Sequence, residues 1–229
     1  MYRHIIFDLD HTLWDFEKNS SETLFELIQE HELTRLYNID PIDFVRIYRK
    51  TNKSLWNLYN KHKITKEELR IQRFDIVLEH FSVKEKKLAR TLDEKYISRC
   101  PEKGYMIEGA KEILEYLSPT YELHILTNGF DATQARKLKG SNIDHYFKQI
   151  ITSETLGIQK PDSRIFDYLI QAAKAKREEC LMIGDNLHTD IIGAQRAKID
   201  HVFFNPLQIN HDFKVNYQIR KLIELKEIL

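Results

Sequence analysis

The stretch that most constrains this chain is Ile5-Ile6-Phe7-Asp8-Leu9-Asp10-His11-Thr12-Leu13. A short apolar run that stops abruptly reads as a buried parallel strand over Ile5 to Phe7. Two carboxylates at i and i+2, then a hydroxyl, follow at once. In an open α/β sheet, ligands bind beyond the carboxyl ends of the strands, which places Asp8 and Asp10 at the active edge. One chemistry that suits the pair is a metal-bound nucleophile (Asp8) beside a general acid/base (Asp10). Asp and Thr are also ordinary loop and helix-capping residues, so the reading needs partners elsewhere in the chain.

After Thr12 the pattern becomes helical and stays so to about Pro101. Leu24, Leu27, Ile28 and His31 share one helical face. Asp40-Pro41 reads as an N-cap followed by proline at the first helical position. Thr65 with Glu68, and Ser82 with Glu85, are capping-box patterns. The spacing predicts a four-helix unit over residues 14–102. From Gly104 onward, helices and apolar strands alternate, with strands expected at 121–126, 149–152, 180–183 and 201–204 and a last amphipathic helix at 222–229. That alternation predicts a parallel sheet with right-handed crossovers. The fold class is therefore α/β: a Rossmann-like, doubly wound core (1–13 and 103–229) with an inserted helical-bundle cap (14–102). Because the insert leaves the chain just after the two carboxylates, it is expected to hang over the active edge as a lid.

Bulk properties exclude several classes. Lys+Arg and Asp+Glu are 35 each, so there is no overall drive toward a nucleic-acid polymer or an acidic membrane. No apolar run is long enough to span a bilayer, and the N-terminus lacks a signal-peptide pattern, so a cytoplasmic location is expected. The two cysteines, Cys100 and Cys180, are far apart and in no CxxC pair, as in a reduced protein. None of the ten histidines falls in an HxH or HExxH pattern, which argues against a histidine-built zinc site.

Each later strand ends in a polar group. Thr127-Asn128-Gly129 offers a hydroxyl and an approachable backbone amide, although Asn-Gly is equally a plain turn. Lys160-Pro161 offers a fixed positive charge, or only a solvated lysine before a helix. Gly184-Asp185 adds a third carboxylate, and Asp190 either supports it or caps a helix. Mg²⁺ takes oxygen ligands, few of them from protein, and Asp8, Asp185 and the backbone carbonyl of Asp10 suit it.

In chain order the set reads DxDxT, TNG, KP and GDNLHTD, each at a strand end. This resembles the haloacid dehalogenase superfamily over essentially the whole chain, with the helical insert matching its helical cap. The resemblance implies Asp8 as nucleophile and metal ligand and Asp10 as acid/base. Thr127, Asn128 and Lys160 would bind phosphate. Asp185 would bind Mg²⁺ (with Mn²⁺ as a substitute), and Asp190 would support it. The reaction implied is phosphomonoester hydrolysis through an aspartyl-phosphate.

Asn52-Lys53-Ser54-Leu55-Trp56 with Tyr59, Arg73-Phe74, and Thr127 to Phe130 look like the bacterial 5′-nucleotidases of this superfamily that act on pyrimidine nucleoside monophosphates. On that resemblance Trp56, Tyr59 and Phe130 could stack a base, and Lys53 or Arg73 could meet a base edge or the phosphate. Aromatic residues at helical spacing are also ordinary packing. His11 departs from the glycine common in superfamily phosphatases, which argues against the phosphoglycolate type. The expected partner is a small phosphate ester, with the chain a monomer or homodimer. A broad small-molecule phosphatase, a 2-haloacid dehalogenase, a phosphomutase and a non-enzymatic phospho-receiver stand as alternatives.

Overall fold

The structure, a computed structural model, describes residues 1–229. The chain divides into two compact units, Met1–Phe16 with Gly104–Leu229, and Glu17–Lys103. In chain order the elements are β1 (His4–Phe7), α1 (Phe16–Glu30), α2 (Leu33–Tyr37), α3 (Pro41–Tyr59), α4 (Lys66–His80), α5 (Lys86–Arg99), α6 (Ala110–Leu117), β2 (Glu122–Thr127), α7 (Asp131–Gly140), β3 (Phe147–Thr152), α8 (Ser153–Leu156), α9 (Ser163–Ala172), β4 (Cys180–Gly184), α10 (Ile192–Arg196), β5 (Asp200–Phe204) and β6 (Tyr217–Ile219).

In the first unit all six strands run parallel, in the order β3-β2-β1-β4-β5-β6. β1 is central because its residues can be buried on both faces: Ile5, Ile6 and Phe7 are fully buried. From β1 the chain builds outward through β2 to β3, then returns to place β4 on the other side of β1. That reversal makes the β1/β4 boundary the topological switch point, where an open α/β sheet leaves a crevice. Ile6, Met182, Ile165, Phe166 and Leu169 form the core under α9.

Two details differ from the sequence reading. β6 was not expected, since Tyr217 and Gln218 are exposed and only Ile219 is buried. The C-terminal segment Leu222–Glu227 is a 3₁₀ helix and not an α-helix. Tyr2 donates to Asp200 at 2.7 Å, and Tyr121 to the Leu229 carbonyl at 2.8 Å, tying both chain ends to the unit.

The second unit has five helices, because a short turn, α2, stands between left-handed Glu32 and Asn38. Asp40 caps α3, accepting from the Asp43 amide at 2.9 Å, with Pro41 at its first position. Thr65 and Glu68 form the reciprocal capping box of α4. The box expected from Ser82 and Glu85 does not form: Ser82 has φ 62, and α5 begins at Lys86 behind an uncapped Glu85. Phe44, Tyr48, Phe74 and Tyr96 fill the interior together with Leu24, Leu27, Leu69 and Leu92.

Arg73, expected to meet a base edge or the phosphate, lies in that interior. Its guanidinium donates to Asp93 at 2.5 Å and sits 4.9 Å from the Tyr96 ring centroid. A buried guanidinium needs a carboxylate and polarisable ring faces around it, and here both lie within the helical unit.

Candidate active site

The switch point is built from the carboxyl ends of β1, β2 and β4 and the loop before α9. The Asp8 amide donates to Ile183 at 2.9 Å, extending the β1–β4 ladder by one residue. The chain then turns sharply, with the Leu9 carbonyl accepting from Leu13 and Trp14, both at 2.9 Å. His11 takes φ 64 in this turn. That left-handed position explains why glycine is a natural occupant there, and histidine carries a modest strain in its place. Thr12 is fully buried, and its hydroxyl donates to Asp185 at 3.2 Å.

Lys160 is buried with its ammonium fully used. Its three protons go to Asp8 Oδ1 at 2.5 Å, to Asp190 Oδ1 at 2.7 Å and to the Leu126 carbonyl at 2.7 Å. Asn128 sets that position: its side chain accepts from the Lys160 amide at 2.7 Å and donates to the Lys160 carbonyl at 3.0 Å. The amide that the sequence reading gave to phosphate thus brackets the lysine backbone.

Asp190 is fully buried and is not a helix cap. The cap is Asn186, whose side chain accepts from His188 at 2.9 Å and Thr189 at 3.3 Å at the start of a π-helical turn over Leu187–Ile191. Asp190 instead accepts from the Asn186 amide at 3.0 Å and faces Lys160. Gly184 makes room for it, because a Cβ there would lie 2.3 Å from Asp190 Oδ2.

Asp8, Asp185 and Asp190 bring one carboxylate oxygen each within 4.8 Å of one another. Burial raises the Asp8 pKa to about 7, Lys160 opposing the shift and Asp190 adding to it. Burial, reinforced by Asp190 and Asp8, lifts Asp185 well above the ordinary carboxylate range. Three acids share one ammonium, so two negative charges lack a counterion when all are ionised. An all-oxygen donor set with that charge fits a hard divalent cation such as Mg²⁺.

Asp10 stands apart from this cluster. Lys137 donates to both of its carboxylate oxygens, at 2.6 and 2.8 Å, and Gln134 donates to Oδ2 at 2.9 Å. Burial raises the Asp10 pKa, but Lys137 and Gln134 outweigh it and the net shift is downward. Gln134 also donates to the Thr127 hydroxyl at 2.7 Å, so it bridges Thr127 and Asp10. Gly129 permits this, since a Cβ there would fall 2.0 Å from Gln134 Nε2. The Lys137 ammonium lies 4.5 Å from the Trp14 ring centroid, a cation–π contact that adds to its pairing with Asp10. Neither Gln134 nor Lys137 was singled out in the sequence. The available signal was their i, i+3 spacing on the helix that follows Thr127-Asn128-Gly129.

The structure thus collects Asp8, Asp10, Thr127, Asn128, Lys160, Asp185 and Asp190 at one sheet edge. Phe130 is buried at the start of α7. In the helical unit, Lys53 is exposed on α3, and Trp56 meets Tyr59 edge-on with centroids 5.5 Å apart.

A family model described as haloacid dehalogenase-like hydrolase matches residues 2–198. The chain belongs to this family. It is therefore an enzyme, and the crevice at the β1/β4 switch point is the candidate active site of a haloacid dehalogenase-like hydrolase. Among relatives, the pyrimidine 5′-nucleotidase PynA of Streptococcus pneumoniae is 35% identical over 92% of this chain and 87% of its own. The pyrimidine 5′-nucleotidase YjjG of Escherichia coli is 32% identical over 88% of this chain and 85% of its own. A magnesium-bound crystal structure of the HAD-hydrolase YfnB from Bacillus subtilis superposes with a TM-score of 0.86 at 32% identity, covering 99% of this chain and 98% of the other. No helix here is long and apolar enough to cross a membrane.

Proposed function

We propose that this enzyme is a Mg²⁺-dependent phosphomonoesterase that hydrolyses nucleoside 5′-monophosphates, with pyrimidine nucleotides preferred. The observation that carries the phosphatase reading is the arrangement of Asp8 on Lys160, with Asp185 and Asp190 alongside and Asp10 two residues on. The nucleotide preference is supported by the two pyrimidine 5′-nucleotidases that align with most of the chain.

In the first step an oxygen of Asp8 attacks phosphorus, the P–O ester bond breaks, and the phosphoryl group is carried as an acyl phosphate on Asp8. The leaving alkoxide takes a proton from Asp10. In the second step water attacks phosphorus, Asp10 accepts its proton, and Asp8 is released with inorganic phosphate. Lys160 and the Thr127 hydroxyl offer positive charge and a donor to the phosphoryl oxygens. Asp8, Asp185 and the Asp10 carbonyl would hold the Mg²⁺, which supplies positive charge that keeps the carboxylates ionised and offsets the charge of the transferring group. Asp190 acts through Lys160 and the turn it closes.

The Lys137–Asp10 pair suits the second step, in which Asp10 must be a carboxylate. The first step requires Asp10 to carry a proton, so the pair must loosen or re-form within each cycle.

The test is a phosphate-release screen over nucleoside 5′-monophosphates, sugar phosphates and phosphoglycolate, with Mg²⁺ and with chelator. Preference for pyrimidine nucleotides, lost on chelation, is expected. A preference for glycolate or sugar phosphates would remove the nucleotidase reading and leave the phosphatase. Halide release from 2-haloacids without metal would remove both.

A further inference from the structure

The opposite edge of the sheet carries a second cluster that the proposed reaction does not use. His4 is the first residue of β1 and Glu122 the first of β2, and the two are paired in register. His124 lies two residues beyond Glu122. Side chains two apart on a strand share a face, and registered partners point the same way. His4, Glu122 and His124 therefore rise from one face of the sheet. His4 Nδ1 and His124 Nε2 are 3.1 Å apart, and Glu122 Oε2 is 3.8 Å from His4 Nδ1. One donor atom from each of the three lies within 4.8 Å of the others.

We propose that His4, Glu122 and His124 form a second metal site, for a borderline transition cation such as Zn²⁺. Two nitrogens bound at about 2.0–2.1 Å to one tetrahedral ion lie about 3.3–3.4 Å apart, so the 3.1 Å His4–His124 spacing needs to open by only a few tenths of an ångström. A donor set of two imidazoles and a carboxylate suits Zn²⁺, Cu²⁺ or Ni²⁺, whereas the all-oxygen Asp8 cluster suits Mg²⁺. His124 is fully buried, and its Nδ1 has no hydrogen-bond partner. A hydrogen bond to His4 through Nε2 thus leaves the ring half satisfied in either tautomer. Glu122 is exposed, which gives the cluster an opening to solvent and leaves a fourth position for water.

The neighbouring thiol is not part of the site. Cys180 pairs with His4 from the β4 side, but its thiol donates to the Lys176 carbonyl at 3.2 Å. The two clusters are separated along β1 by four residues, about 13 Å at about 3.3 Å per residue. A metal at the amino edge clasps β1 to β2 and stabilises the folded chain by mass action.

The test titrates the purified enzyme with Zn²⁺ by calorimetry, in a large excess of Mg²⁺ that fills the acidic cluster. Cu²⁺ EPR then reads the donor atoms. The expected result is one Zn²⁺ site and a Cu²⁺ signal split by two imidazole nitrogens. His4→Gln should lose at least one of those nitrogens and weaken Zn²⁺ binding by more than about tenfold. Glu122→Gln, at an exposed position that tolerates the change, should keep both nitrogens and bind Zn²⁺ about tenfold more weakly. Should His4→Gln fail to fold, Glu122→Gln carries the test alone. No Zn²⁺ binding in excess Mg²⁺, a signal from oxygen donors only, or equal affinity in wild type and Glu122→Gln would overturn the proposal.

Discussion

Lys137 Nζ lies 2.6 and 2.8 Å from the two carboxylate oxygens of Asp10, across 127 residues of chain. The pair joins the turn after β1 to the helix after β2, and it sets which protonation state Asp10 favours. Lys137→Met removes the charge that lowers the Asp10 pKa, so Asp10 should hold its proton to higher pH. Both limbs that report Asp10 should then move upward: the basic limb of kcat/KM, where it acts as acid, and the acid limb of acyl-phosphate hydrolysis, where it acts as base. Steady-state and single-turnover pH profiles check this. Unmoved limbs with a lower kcat would mean that Lys137 only packs against Trp14.

The acidic cluster should make stability depend on pH and metal in opposite ways. The folded pKa of Asp8, about 7, exceeds its unfolded value of 3.8, so between those values the folded chain binds more protons than the unfolded one. Asp185 acts in the same direction. The Asp8 contribution is full below the unfolded value and is lost as pH rises through about 7. Asp10 has the opposite sign, but its contribution is lost only as pH falls below about 4. Metal-free protein should therefore melt at lower temperature at about pH 7.5 than at about pH 5, and Mg²⁺ should raise Tm more at the higher pH. Calorimetry with and without chelator reads both. An apo Tm that rises over this interval would refute the charge balance described for the three acids.

Gly184→Ala places a Cβ 2.3 Å from Asp190 Oδ2 and 2.6 Å from Asp190 Cβ. The second contact is near the backbone, so the side chain cannot simply swing away. Asp190 must shift, and Lys160 loses one of its acceptors. We expect a loss of about 1–3 kcal/mol in stability and a fall in kcat larger than any rise in KM. Denaturant unfolding and steady-state kinetics separate the two effects. A fully active, equally stable Gly184→Ala enzyme would show that Asp190 does not need that space.

Arg73→Ala leaves Asp93 buried without its main partner and should cost about 3–5 kcal/mol. Because the guanidinium is held inside the helical unit, the KM for phosphate ester in the folded fraction should not change. A large KM effect with normal stability would return Arg73 to the substrate.

The core of this site is readable in the sequence because each functional group marks the end of a strand. Asp8, Thr127 and Asp185 follow apolar runs that stop sharply, and strand ends in an open α/β sheet share one edge. What stayed hidden depends on packing across the chain. Lys137 and Gln134 look like a solvated helix face until β1 and β2 pair and bring α7 over Asp10. His4 and His124 are 120 positions apart and meet only through parallel register. The Ser82–Glu85 pattern misled because a capping box needs an extended N-cap, and Ser82 is left-handed. Asp190 resembles a helix cap locally, but the helix begins at Leu187, which turns Asp190 inward onto Lys160.

The central claim is that Asp8 carries the phosphoryl group. Its most direct measurement is acid quench of the enzyme during turnover of a pyrimidine nucleoside 5′-monophosphate with Mg²⁺, then borohydride reduction and peptide mass analysis. An acyl phosphate on Asp8 should be recovered as homoserine at position 8, and at no other position, with Asp8→Asn giving neither the modification nor phosphate release. Rapid turnover with position 8 unmodified, or an Asp8→Asn enzyme that releases phosphate at the normal rate, would contradict it.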